Sequence, residues 1–294
     1  MKHAIRGAGR IVLFTVGALL AVNLWVPAAS ASGRYQPITA DVTGDGRNDL
    51  STLTEAVPPD VGTADHVRVC QVVVRPGLPG GGYGTPQAHP YLTMPEEDTY
   101  CPDMGTWTDI EGDRADELLA TWFTGPPPGF EQNLITIDDF RVTDFSVGLF
   151  QPSFIGTANL DSQGLPDIYE WTDQGDGFAT FLNDGSGGFV PGPMRWCANP
   201  RSVQLADFDG DGVQSAVISY FERCTDFSSG VVVLLEDGSV RQLEQDPLGL
   251  VTWTVTVADY DNDGRLDVRT VNDVTGAVHV FPGLGDDSFG ESQP

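Results

Sequence analysis

A nine-residue acidic pattern recurs five times in this chain, and its spacing limits what each structural unit can be. The fullest copy is Asp259-Tyr260-Asp261-Asn262-Asp263-Gly264-Arg265-Leu266-Asp267, with side-chain oxygens at positions one, three, five and nine and a glycine at six. In a tight turn of alternating residues every second side chain points inward, and a glycine lets the chain reverse without a Cβ clash. Four carboxylates aimed at one point repel one another unless a cation sits there. Hard oxygen ligands in a flexible loop suit Ca²⁺ better than Zn²⁺ or Mg²⁺.

The other copies are Asp41 to Asp49, Asp109 to Glu117, Asn159 to Asp167 and Asp207 to Ser215. First positions fall at 41, 109, 159, 207 and 259, so the steps are 68, 50, 48 and 52. One long step and three near fifty describe a single repeated unit with an insertion in the first. Glycine-rich turns ending at Phe189 and Phe289 check the register, each thirty residues after its loop begins. In the related run Gly80 to Gly84 the aromatic Tyr83 lies 42 after Asp41, which places about twelve extra residues within Ala56 to His66 and the rest near Met94 to Asp103. The second unit has no such turn, and the fourth has only Glu236-Asp237-Gly238.

The segments flanking the loops are short, β-branched or aromatic, and bounded by Gly, Pro and Asp, as in Leu118 to Trp122, Ile168 to Trp171 and Ala216 to Tyr220. No stretch beyond the N-terminal thirty residues keeps a period near 3.6, so the chain is expected to be all-β. Fifty residues hold about four short strands, one blade of a β-propeller. The expectation is five four-stranded blades, each with its acidic loop between first and second strands; seven blades with two degenerate is the alternative. Only five residues follow Phe289, so the outermost strand of the last blade is either missing or supplied by Arg34 to Pro37.

Lys2, Arg6 and Arg10, the apolar run Ile11 to Val26 and the small residues Ala29-Ser30-Ala31 read as a secretory signal peptide over 1–31, leaving a propeller over 32–294. The whole chain carries a net charge of −27; without the signal, twelve arginines face 42 acids, a net −30. That charge argues against nucleic acid and anionic membranes as partners, and no later run is long enough to insert in a bilayer. Four cysteines in an exported chain point to disulfides. Nearest-neighbour pairing, Cys70–Cys101 and Cys197–Cys224, is the favoured one of three connectivities.

With these features the chain resembles the FG-GAP/VCBS repeat family, whose repeats also build the N-terminal propeller of integrin α chains. The resemblance rests on the five acidic nonamers, the hydrophobic residue after most of them and the turns ending at Phe189 and Phe289; Phe289-Gly290 is the best remnant of the family's literal Phe-Gly word. It implies loops that bind Ca²⁺ and brace the blades, up to five ions, with the ligand surface elsewhere on the ring. Carried over by position, the first loop uses Asp41, Thr43, Asp45 and Asp49 with the Arg47 carbonyl. The second uses Asp109, Glu111, Asp113 and Glu117 with the Ala115 carbonyl, although Arg114 replaces its turn glycine. The third offers Asn159, Asp161, Gln163 and Asp167. The fourth offers Asp207, Asp209 and Asp211, with Ser215 in place of the closing acid. The fifth uses Asp259, Asp261, Asp263 and Asp267 with the Arg265 carbonyl. Carboxylate counts of 3, 4, 2, 3 and 4 rank the second and fifth loops strongest and the third weakest. A single copy reads equally well as an acidic turn; an EF-hand is excluded by the strand flanks and by Thr52 and Thr270 at the twelfth position.

Catalytic signals are sparse. His66, His89 and His279 stand in no metal spacing, and neither a nucleophile elbow nor a phosphate-binding loop is present. Glu96-Glu97-Asp98 and Asp138-Asp139 read as solvated turns. Trp107, Trp122, Trp171 and Trp253 fit strands, which leaves Trp196, expected in a loop beside Cys197, as the tryptophan best placed to meet a ligand; Pro126 to Pro128 reads as a rigid turn. The favoured reading is a monomeric, non-catalytic module that binds an extracellular protein or glycan. The alternative is a polysaccharide lyase or hydrolase on the same scaffold. Either function is expected in the non-repeating parts: 56–66, 94–103 and the Trp196 region.

Overall fold

The structure is a computed structural model and describes residues 36–56, 67–95, 100–113, 115–123, 132–173 and 177–294. The signal segment, most of the 56–66 insertion, residues 96–98, Arg114 and Pro126 to Pro128 lie outside the described residues.

No helix occurs among the described residues; the chain is all-β, in five antiparallel sheets. The first holds β1 (Ile38–Ala40), β2 (Asp49–Ala56), β3 (Val67–Arg75) and β4 (Gln87–Pro95). The second holds β5 (Met104–Thr108), β6 (Glu117–Thr121), β7 (Leu134–Asp138) and β8 (Arg141–Ser146). The third holds β9 (Phe154–Ala158), β10 (Asp167–Trp171), β11 (Phe178–Asn183) and β12 (Phe189–Trp196). The fourth holds β13 (Ala198–Ala206), β14 (Ser215–Arg223), β15 (Ser229–Leu234) and β16 (Val240–Asp246), and the fifth β17 (Trp253–Ala258), β18 (Asp267–Asn272) and β19 (Val278–Phe281). Each sheet is a meander with strands paired in chain order, as expected of consecutive hairpins.

The fifth sheet has three strands, and its outer edge is met by the C-terminal tail: Val280 and Gln293 exchange both backbone hydrogen bonds at 2.8 Å. The tail is therefore what the described residues place beside β19; Arg34 and Tyr35 of the Arg34 to Pro37 segment lie outside the described residues. The second sheet replaces the glycine-rich turn with the two-residue link Asp139-Phe140, both at positive φ (42° and 59°), the geometry that closes a tight hairpin with the natural strand twist.

Successive sheets pack face to face, giving a propeller-like arrangement. Leu53 and Val72 of the first sheet share a core with Leu118 and Ile135 of the second. Leu119 and Leu134 turn the other way, onto Ile155, Ile168 and Phe181 of the third. Phe178 and Met194 then meet Ile218 and Val232 of the fourth, and Val217 and Val231 meet Val255, Val268 and Phe281 of the fifth. Side chains alternate across a strand, so a sheet packed on both faces needs apolar residues at every position. That is why Leu118-Leu119-Ala120 and Val231 to Leu234 are continuous apolar runs. End sheets alternate instead: in β2, Ser51 and Leu53 are buried while Thr52 and Thr54 are half-buried, and in β17 Thr254 is exposed between Trp253 and Val255. No apolar cluster among the described residues joins the fifth sheet to the first.

Both disulfides follow the nearest-neighbour pairing, with Cα–Cα distances of 5.3 Å for Cys70–Cys101 and 5.5 Å for Cys197–Cys224. They mark a chain that matures in an oxidising compartment.

Candidate metal centre

All five acidic nonamers fall where the repeat predicts, between the first and second strands of their sheets. Because each sheet is a meander, these loops share one rim with the third-to-fourth-strand turns. The connections ending in the disulfides occupy the opposite rim.

The first-position aspartates are turned into their loops and hold them. Asp259 accepts the backbone N–H groups of Asp263 (3.1 Å) and Gly264 (3.0 Å). Asp41 accepts those of Asp45 (2.9 Å) and Gly46 (2.7 Å), Asp109 those of Gly112 and Asp113, and Asp207 those of Gly210 and Gly212. The sixth-position glycine is required by the turn, since Gly264 sits at φ 88°.

The ninth-position carboxylates have a second task that the spacing did not reveal. Asp267 is fully buried; its Oδ2 accepts the Tyr260 N–H at 2.7 Å and its Oδ1 the Gly283 N–H at 2.9 Å. Asp49 does the same with Thr43 and Gly77, and Asp167 with Leu160 and Asn183. Each one staples its own loop to the end of the third strand or to the turn that follows it. Gly77 and Gly283 are glycines for a matching reason. A Cβ on Gly283 would lie 2.1 Å from the Leu266 carbonyl oxygen, and one on Gly77 2.5 Å from that of Asn48. The repeat period found the loops, but nothing in a linear pattern shows a contact made sixteen or more residues away.

Among the described residues, three carboxylates converge in two loops: Asp207, Asp209 and Asp211 in the fourth, and Asp259, Asp261 and Asp267 in the fifth, each triad with ligand oxygens within 4.8 Å of one another. Either triad can hold a metal ion, and an all-carboxylate oxygen set fits a hard cation. Asp263 is diverted from its triad: the Arg265 backbone N–H and then its guanidinium engage the carboxylate and hold it below the usual carboxylate range. Asp45 is engaged by Arg47 in the same way.

In the second loop Glu117 is buried, accepts the Ile110 N–H at 2.8 Å, and is pushed up to about 7 by burial and then by Asp113, Glu111 and Asp109. These four predicted ligands therefore lie close enough to repel one another. Ala115 there donates its N–H to Asp113. In the third loop Asp161 is occupied by Gln163, and the Asn159 amide donates to the Gly212 carbonyl of the fourth loop. That leaves Asn159 Oδ1 buried with no hydrogen-bond partner among the described residues. The fourth loop also has acidic neighbours that the pattern missed, Glu236 and Asp287 from adjoining turns. Both are pushed up by burial and then by the charges of Asp209 and Asp211 among others. The signal was present as Glu236-Asp237-Gly238 and Asp286-Asp287, but only the fold brings these turns to the fourth loop.

Among the other candidates, Trp196 is the last residue of β12 rather than part of a loop. The Arg223 guanidinium lies 4.8 Å from its ring centre and Tyr220 meets it edge-on, so its face is taken. Trp107, Trp171 and Trp253 lie on strands, and Trp122, directly after β6, is fully buried. His89 stacks on Phe140 at 3.8 Å. His279 Nδ1 lies 2.6 Å from Glu244, which also accepts the Thr270 hydroxyl. No family model matches the chain, and no curated protein matches it.

Proposed function

We propose that the protein is a secreted, calcium-braced five-bladed propeller of the FG-GAP/VCBS kind, acting as a non-catalytic module that binds an extracellular protein or glycan. The observation that carries the reading is the placement of five acidic nonamers at one structurally equivalent position, with converged carboxylate triads in two of them. The residues fit the ion. The fifth-loop triad, with Asp263 once released by Arg265, offers four carboxylates, and the ninth-position acids hold that shell in place through buried hydrogen bonds. Bound Ca²⁺ supplies positive charge where the acids are densest and joins the loop rim without further protein bonds. Affinities on the order of 10⁻⁴ to 10⁻³ M suffice outside the cell, where calcium is plentiful. Thermal melting with calcium and with chelator tests the brace; identical melting temperatures would refute it.

The binding role is tested separately, by a glycan array run beside a lyase and hydrolase panel. Binding without turnover supports the module. The enzymatic reading has one specific arrangement in its favour: the Glu244 carboxylate orients the His279 imidazole through Nδ1, and neighbouring residues of the same strands, Gln242 and Phe281, line a cavity of about 310 Å³. Turnover abolished by His279→Ala would replace the binding module with an enzyme.

A further inference from the structure

The two disulfides occupy opposite environments. Cys70 lies within β3, opposite Glu55 of β2 and Leu92 of β4, and is fully buried in the core shared by the first two sheets; Cys101, bonded to it, is buried there too. Cys197 and Cys224 are both exposed. They stand one step past the paired ends of β13 and β14, where Ala198 faces Arg223, and the Cys224 N–H donates to the Cys197 carbonyl at 3.2 Å. A thiolate must reach a sulfur atom to exchange with a disulfide. Core packing closes that approach at the first bond, and solvent borders the second.

The backbone beside the second bond is also held in an unfavourable conformation. Ala198 pairs with Arg223 and Asn199 with Phe221, so Glu222 is the extra residue of a bulge in β14, at φ 57°. That left-handed region suits glycine, and a glutamate held there stores strain that an untied strand end can release. The sheet beneath does not depend on the bond. β13 and β14 remain paired over Asn199 to Ala206, and Ile218, Tyr220 and Val232 are buried in the core shared with the third sheet.

From this we propose that Cys197–Cys224 is a reversible thiol-exchange site for a low-molecular-weight thiol, while Cys70–Cys101 is a structural bond. The incoming thiolate forms an S–S bond to one cysteine, the Cys197–Cys224 bond breaks, and its electron pair leaves on the other sulfur, which takes a proton from water. A second thiol displaces the first from the mixed disulfide. The protein ends with two thiols, and the small molecule is oxidised to its own disulfide. Exposed or strained disulfides are the labile ones, whereas enclosed ones resist reduction. Exchange here cuts the covalent tie between the connection entering β13 and the one leaving β14, and leaves the sheet in place.

The experiment is incubation of the native protein with reduced glutathione at neutral pH, alkylation of the thiols formed, and peptide mass spectrometry over time. Cys197 and Cys224 are expected to become alkylated or glutathione-bearing about tenfold or more faster than Cys70 and Cys101. The protein opened in this way is expected to melt in one cooperative transition still, and oxidised glutathione to restore the bond. The double variant Cys197→Ser, Cys224→Ser is expected to take up no glutathione. Opening of both pairs at one rate, opening of Cys70–Cys101 first, or no opening of either without denaturant overturns the proposal. So does loss of the melting transition when Cys197–Cys224 alone is open, which would make that bond structural as well.

Discussion

Asp267 and Asp261 belong to one converged triad but do different work, and substituting each by asparagine separates a brace from a ligand. Asp267 is buried and accepts two backbone N–H groups, from Tyr260 and Gly283. Asparagine keeps one acceptor and turns an NH₂ group toward the other donor. A hydrogen bond to a charged group contributes about 1.5 to 3 kcal/mol, and a chain of this size loses about 2 to 4 °C of Tm per kcal/mol. Asp267→Asn is therefore expected to melt about 3 to 12 °C lower in chelator. Asp261 is exposed and accepts the Asp263 N–H at 3.0 Å, which asparagine oxygen can also accept, so Asp261→Asn should shift Tm in chelator by less than about 2 °C. In calcium both variants lose the ion's contribution, about 2.7 kcal/mol per site at a concentration a hundred times Kd. The assay is calorimetry of the two variants and the parent in each buffer. Equal melting of the two variants in chelator would refute the assignment of Asp267 as a brace.

Three further outcomes follow from individual residues. Glu170, fully buried, is pushed up to about 8 by burial, against which only the Leu149 N–H acts. Its folded state therefore holds a proton that the unfolded chain releases near 4.5. The resulting stability is complete below that value and is lost as pH rises toward and through 8; Glu170→Gln should flatten the fall of Tm across that window. Arg265→Ala frees Asp263 and is expected to tighten calcium binding by the fifth loop about two- to fivefold, the scale of an exposed ion pair, measured by titration calorimetry. Gly283→Ala forces a Cβ onto the Leu266 carbonyl and should lower Tm by the equivalent of about 1 to 3 kcal/mol, where Gly264→Ala disturbs a φ and not a contact.

The fold was legible in the chain because its two strongest signals are local. Asp, Asn and Gly at fixed offsets set the loops, and the runs beside them set the strands. Even the doubly packed middle sheets could be read from Leu118-Leu119-Ala120. What escaped was every property created by bringing distant turns together. The Asp267–Gly283 staple, the approach of Asp287 to the fourth loop and the occupation of Trp196 by Arg223 all depend on which ends of which strands meet. Ranking loops by carboxylate number put the second beside the fifth and the fourth lower, a ranking of affinity that geometry alone does not test; among the described residues the converged triads lie in the fourth and fifth. Counting acids ignores where each one points. Asp207 to Asp211 converge without a closing acid because Gly210 and Gly212 let the turn close tightly over Asp207.

The two disulfides sit on the rim away from the acidic loops, and that placement makes the two rims unequal under stress. Cys70–Cys101 ties the first sheet to the connection entering the second, and Cys197–Cys224 ties the junction of the third and fourth. Covalent bonds that ignore ionic conditions hold one side, and hydrogen-bonded carboxylates that respond to them hold the other. Under the proposed calcium binding, removal of the ions is expected to loosen the acidic rim before any sheet comes apart, while the rim with the disulfides stays joined.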